Sequence, residues 1–139
     1  LLVYISGFFE QNRSDYYDKL LAVSTRNEWE EWISFFLTAI VTQARDAYNR
    51  AKLLLELRAK YQQLVQEKRA SAVLPKIIDA LFEHPVLTVN LVRKIGCVTA
   101  PSACALISKL EKKGIIVEAT GRKRKKVYIA PKIIELVDL

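Results

Sequence analysis

Apolar residues recur at helical spacing along most of this chain, and a strand-like pattern emerges only near its end. Between Gly7 and Pro75 there is neither glycine nor proline, so nothing obliges the backbone to break. Ser6 predicts the cap of a short helix running through Phe8 and Phe9 to Asn12. Ser14, with Asp15 behind it and Tyr17, Leu20 and Leu21 beyond, predicts a second helix start. Ser24-Thr25-Arg26-Asn27 reads as a polar turn, after which Glu28, Glu30 and Glu31 form an acidic first turn. The third helix carries Trp29, Trp32, Ile33, Phe36, Leu37, Ile40, Val41 and Ala44 as one stripe. That stripe continues through Ala47, Tyr48, Ala51, Leu54, Leu55, Tyr61, Leu64 and Val65, with Arg58 its one charged member. Such a helix would extend about 60 Å, far beyond a mean globular helix. Either it breaks near Thr42–Asp46 or its second half packs on a partner. The spacing is too irregular for a coiled coil, and a homodimer through the stripe stays open.

Composition changes at Glu67-Lys68-Arg69-Ala70-Ser71, which predicts a domain boundary between residues 1–69 and 70–139. Pro75 suits a helix start, Ile77, Ile78, Leu81 and Phe82 give that helix a buried face, and His84-Pro85 ends it. Thr88 caps a shorter helix with Leu91, Val92 and Ile95, and Gly96 turns the chain. Thr99 caps the next helix, Pro101 lies in its first turn, and Ala103, Leu106, Ile107 and Leu110 form its stripe. Lys109, Lys112 and Lys113 complement its dipole before Gly114 ends it. Ile115-Ile116-Val117 and Val127-Tyr128-Ile129 read as two strands joined through Gly121 and the run Arg122-Lys123-Arg124-Lys125-Lys126. Pro131 to Leu139 predicts a closing helix with Ile133, Ile134 and Leu136 packed. Two helices joined by a glycine turn, then a hairpin with a cationic tip, predict a winged helix-turn-helix. The fold class is therefore mainly α, with three helices and a small β-hairpin wing in the second half.

Charge sharpens this picture. The net charge is +7. Residues 1–69 contribute +1 of it and residues 70–139 contribute +6, five of those positive side chains lying in one loop. Such localisation suits a surface that faces phosphates. No run of about 18 apolar residues exists, so no membrane span and no membrane partner is expected. The opening Leu1-Leu2-Val3-Tyr4-Ile5 lacks the basic flank and cleavage site of a signal peptide. An apolar start without methionine is what a segment of a longer chain would show. Cys97 and Cys104 form neither a disulfide framework nor a zinc pattern, and they read as reduced packing residues of a cytoplasmic protein.

Catalytic chemistry finds little support. His84 is the only histidine, and before Pro85 it reads as a helix-end residue. One histidine and two cysteines make a poor metal set, and the four scattered glycines form no phosphate loop. No catalytic residue, metal or cofactor is expected. Binding remains: Arg122, Lys123, Arg124, Lys125 and Lys126 would contact DNA phosphates, which supplies affinity without sequence information. Base reading would fall to Pro101, Ser102, Ala105, Ser108, Lys109 and Lys112, a face poor in the Arg, Asn and Gln that make bidentate base contacts. The alternative is a winged helix used for dimerisation or for recruiting a protein target.

The first half carries a further signature in Tyr4-Ile5-Ser6, Asn12-Arg13, Tyr16-Tyr17, Leu20-Leu21, Trp29-Glu30, Trp32-Ile33 and Phe35-Phe36-Leu37. Residues 1–44 thereby resemble the segment that follows the catalytic loop in the Fic family (filamentation induced by cAMP), the adenylyl-transferring, AMPylating enzymes. In that family these residues look structural. Many bacterial and archaeal members also carry a winged helix next. Its pattern looks like Thr99-Ala100, Leu110-Glu111, Lys113-Gly114-Ile115, Gly121-Arg122-Lys123-Arg124 and Tyr128 here. The family's HPFxxGNGR loop is absent, since His84-Pro85 continues as Val86-Leu87-Thr88. Its inhibitory motif is not evident either: Ser24 and Glu28 have the spacing, but Trp29 follows. The resemblance implies the non-catalytic C-terminal part of such a protein; DNA binding, expected from the basic wing, would then place or regulate an upstream Fic domain.

Overall fold

The computed structural model describes residues 5–66 and 72–138. They form seven helices and one small three-stranded antiparallel sheet. The chain divides into two compact units, Leu1–Lys52 and Leu53–Leu139. The composition change at 67–71 lies outside the described residues.

In the first unit, α1 (Ile5–Gln11) and α2 (Arg13–Arg26) precede the long helix α3 (Trp29–Val65), of which residues 29–52 belong here. Ser6 and Ser14 lie inside helices and cap neither of them. Asn12 stands between α1 and α2, its amide donating to the Phe8 carbonyl at 2.8 Å. Nor is Ser24–Asn27 a four-residue turn. Ser24 and Thr25 remain helical, and their hydroxyls are satisfied within the helix by donating back to the Leu20 and Leu21 carbonyls, at 3.1 and 2.7 Å. Asn27 alone makes the stop, in the left-handed conformation (φ 57°) that asparagine tolerates. Its side-chain oxygen then accepts from the Trp29 indole N–H at 2.9 Å.

The apolar arc of α3 is too wide for one packing layer. Trp32 and Phe35 turn toward α1 and α2, where Phe8 meets Phe35 at 5.6 Å, Phe9 meets Tyr16 at 4.9 Å and Tyr16 meets Trp32 at 5.5 Å. Phe36 reaches the edge of this cluster, and Trp29 is exposed. The single core stripe expected from Trp29 onward is therefore split. Ile33, Leu37 and Val41 lie on the uncovered side. No break falls at Thr42–Asp46, for α3 is continuous.

The second unit holds residues 53–65 of α3, then α4 (Val73–Glu83), β1 (Val86–Thr88), α5 (Val89–Gly96) and α6 (Ala100–Lys112). Strands β2 (Val117–Glu118) and β3 (Val127–Ile129) and helix α7 (Pro131–Asp138) follow. Tyr61 and Val65 belong to its core, with Leu54 and Leu57 packed against it, so the end of α3 packs within this unit. Arg58, the charged member of the stripe, pairs with Asp79 at 2.7 Å, and Gln62 donates to the same oxygen at 2.9 Å. The core proper is aliphatic: Leu74, Ile77, Ile78 and Leu81 meet Leu87, Val92, Ile107, Leu110, Ile115, Ile116 and Ile133.

Strand order is β1-β3-β2, with Leu87 opposite Tyr128 and Glu118 opposite Tyr128 across β3. Strand β1 is invisible to periodicity because three residues carry no period; it exists through its pairing with β3. Ile115 and Ile116 are buried but precede the strand, which begins at Val117. Helices α5 and α6 are bent by 106° at their junction. No single helix among the described residues is long and apolar enough to cross a membrane.

Gly96 does not make the turn between these helices. It is the last residue of α5, and Cys97 adopts the left-handed conformation (φ 49°). Glycine is required at 96 for another reason: a Cβ there would lie 2.5 Å from Cγ1 of Val73, at the start of α4. Valine is stiff, so the helices would have to part. Gly96→Ala is expected to destabilise the second unit by about 1–3 kcal/mol, the usual cost of overpacking. Urea denaturation followed by circular dichroism measures this, and a loss below about 0.5 kcal/mol would contradict the close approach.

Candidate nucleic-acid interface

Two local devices set the helix that would face a ligand. The Thr88 hydroxyl accepts from the Leu91 N–H at 3.2 Å and starts α5. Thr99 starts α6, its hydroxyl 3.0 Å from that of Ser102. Ser102 is thus engaged in the cap as well as exposed. Burial of Ala103, Leu106, Ile107 and Leu110 turns the opposite face outward. Pro101, Ala105, Lys109 and Lys112 are exposed on that face and Ser108 is half-buried.

Cys104 lies on the outward side too. Both cysteines are free and exposed, so neither is the packing residue expected from cysteine's habits. The reason for Cys104 is phase: it stands beside, not within, the arc that Ala103, Leu106, Ile107 and Leu110 bury. Cys97 sits at the turn as the left-handed C-cap of α5, its Sγ 3.8 Å from the Lys94 carbonyl.

The loop between β2 and β3 presents Arg122, Lys123, Arg124, Lys125 and Lys126, all exposed. Among the described residues none of them forms an ion pair with an acid. The loop also borders a cleft of about 570 Å³ in which Lys123, Lys125 and Lys126 stand with Cys104 and with Thr88 and Asn90 at the start of α5. Tyr128 lines this cleft from the sheet. Its phenol is pushed up by burial, then by the neighbouring Glu111 and Glu118 carboxylates and Cys104, and stays neutral. Three of the five loop cations therefore share a concave surface with Cys104 of α6, whereas Arg122, Arg124 and the α6 residues Ser102, Ser108, Lys109 and Lys112 do not line it.

A clasp at the base of the loop was not legible in the pattern. The Glu118 carboxylate accepts from the Thr120 hydroxyl, from the Thr120 N–H at 2.9 Å and from the Gly121 N–H at 3.0 Å. The Ala119 N–H donates to the Val127 carbonyl at 2.9 Å, closing the hairpin opposite. Gly121 takes φ 62°, with nothing near a would-be Cβ, so its role is conformational. The only sequence signal is Glu-x-Thr-Gly, an acid followed by groups able to donate back to it.

The Thr120 hydroxyl and then the Thr120 N–H hold the Glu118 carboxyl below the usual glutamate range against the opposing effect of burial, with the Gly121 N–H and Lys126 adding less. A depressed carboxylate stabilises its fold at pH values above the ordinary glutamate range, and this contribution is lost as pH falls through the lowered value. The amide resonances of Thr120 and Gly121 are accordingly expected to titrate together below the usual glutamate range in an NMR pH series. Glu118→Gln should remove that titration and sharpen the loop's dynamics into faster motion. Unshifted amides across the acid range would mean that the clasp does not form in solution.

No group of three or more His, Cys, Asp or Glu side chains that could hold a metal ion occurs among the described residues. His84 is exposed at the C-cap of α4. A scan against protein-family models finds no match to the chain.

Proposed function

We propose that residues 72–138 act as a winged helix-turn-helix that binds duplex DNA, with α6 as recognition helix and the 119–126 loop as wing. On this reading the chain is the non-catalytic C-terminal region of a Fic-family protein, and it localises or regulates an adenylyl-transferring domain carried elsewhere. The observation that supports it best is the shared cleft, in which three unpaired lysines of the loop stand beside Cys104 of α6. A phosphate backbone crossing that cleft would meet the loop cations while α6 enters the adjoining groove. The outward face of α6 offers hydroxyls, lysines and small apolar groups, so discrimination between sequences is weak and phosphate contact dominates. On this reading no catalytic role falls to the described residues.

Thiol chemistry tests the docking mode. Saturating random-sequence duplex should slow alkylation of Cys104 by about tenfold or more, because the exposed thiol then lies under DNA. Cys97, at the turn, should react at an unchanged rate. Equal reactivity of Cys104 with and without bound DNA would remove α6 from the interface.

A further inference from the structure

The first unit carries a feature that DNA binding leaves unused. Leu37, Val41 and Tyr48 of α3 are more than half exposed (54, 56 and 69%), and Ile33 nearly so (49%). They follow one another along one side of the helix, and a shallow groove of about 570 Å³ runs between Ile33, Leu37, Val41 and the small Ser34 and Thr38. Isolated apolar residues on a surface need no explanation, but a continuous stripe marks a contact face.

We propose that this face pairs with the same face of a second copy of the chain, antiparallel, about a two-fold axis passing by Val41. The stripe is self-complementary. The stripe has Glu30 at one end and Lys52 at the other, each eleven residues from Val41. Both are exposed, and neither forms an ion pair among the described residues. A parallel pair would set Glu30 against Glu30 and Lys52 against Lys52, which repel. The antiparallel pair sets Glu30 opposite the partner's Lys52 at both ends. Size matches in the same register. Tyr48 falls opposite the partner's Ser34, where a small residue leaves room for the ring. Arg45 falls opposite the partner's Leu37, which its aliphatic stem covers. Val41 meets itself on the axis. The contact is isologous and closed, as a two-fold pair requires.

Sedimentation equilibrium of the full chain tests this, with both native cysteines replaced (Cys97→Gly, Cys104→Ser). A dimer is expected, and Val41→Asp should raise its Kd by about 100-fold with helicity unchanged, because an unpaired carboxylate would be buried. Glu30→Lys should weaken the dimer, and Glu30→Lys with Lys52→Glu should restore it. These two surface changes keep the test sound should Val41→Asp disturb the fold. Under oxidation Val41→Cys should cross-link copy to copy. Tyr48→Cys should not, since its two copies would stand about 21 Å apart along the axis. A monomer at about 100 µM, a low-affinity limit, would overturn the proposal and leave the stripe to a different protein. So would a dimer indifferent to Val41→Asp and to the charge exchange. Cross-linking at both Val41→Cys and Tyr48→Cys would overturn the antiparallel register.

Discussion

Reversing Arg122, Arg124 and Lys126 to glutamate is expected to weaken duplex-DNA binding by about 100-fold or more, which at physiological salt amounts to its loss. The change replaces three cations by three anions on a loop whose five basic residues are all exposed. Each lost phosphate contact also removes the gain from a released counterion, and each new carboxylate repels the duplex. Global stability should change little, since none of these side chains forms an ion pair among the described residues; the effect on the fold is local, because Lys126 favours the Glu118 carboxylate and its reversal loosens that clasp. Surface changes of this kind alter stability by about 0.5 kcal/mol or less. Fluorescence anisotropy and a denaturation curve on the same sample separate the two effects. Retained binding in a folded triple variant would mean that the loop does not contact phosphate. Replacement by alanine should give an intermediate loss.

The largest stability effect is expected at Leu110. It is fully buried on the inner face of α6, within the cluster that includes Leu81, Ile107, Ile115 and Ile116. Leu110→Ala removes three carbons from a core with no solvent to refill the space. Comparable truncations cost about 2–5 kcal/mol, according to how far the site collapses. Domains of this size are stable by about 5–15 kcal/mol, so the variant should lose a large share of its total. In urea the midpoint should fall with the slope unchanged. A cost below about 1 kcal/mol would mean that α6 is not anchored by this stripe, and the outward face it presents would then be ill defined.

Much of the second unit is written in its side chains. Thr88 and Thr99 announce helix starts because a hydroxyl that accepts from a helix N–H has few other uses. The stripe from Ala103 to Leu110 fixes which side of α6 is buried, and hence which side is available. Other features depend on neighbours that a linear pattern cannot contain. Strand β1 is three residues long and is defined by β3, some forty residues later. Gly96 reads as a turn until Val73 is seen beside it. Cysteine's preference for burial misleads at Cys104, where helical phase decides. In the first unit the apolar residues of α3 span more of the helix than α1 and α2 cover, so periodicity alone could not divide the packed side from the open one. The cations from Arg122 to Lys126 are evident in the sequence, whereas the Glu118 clasp that holds their loop needs three-dimensional contacts to be seen.

The most direct measurement is a fluorescence-anisotropy titration of the full chain with random-sequence duplex at several salt concentrations. Four or five loop contacts to phosphate predict tight binding at low salt and a log–log slope of affinity against salt near about −4. Absence of binding at low salt, or binding with a slope near zero, would contradict a phosphate-reading wing and turn attention to a protein partner for the same surface.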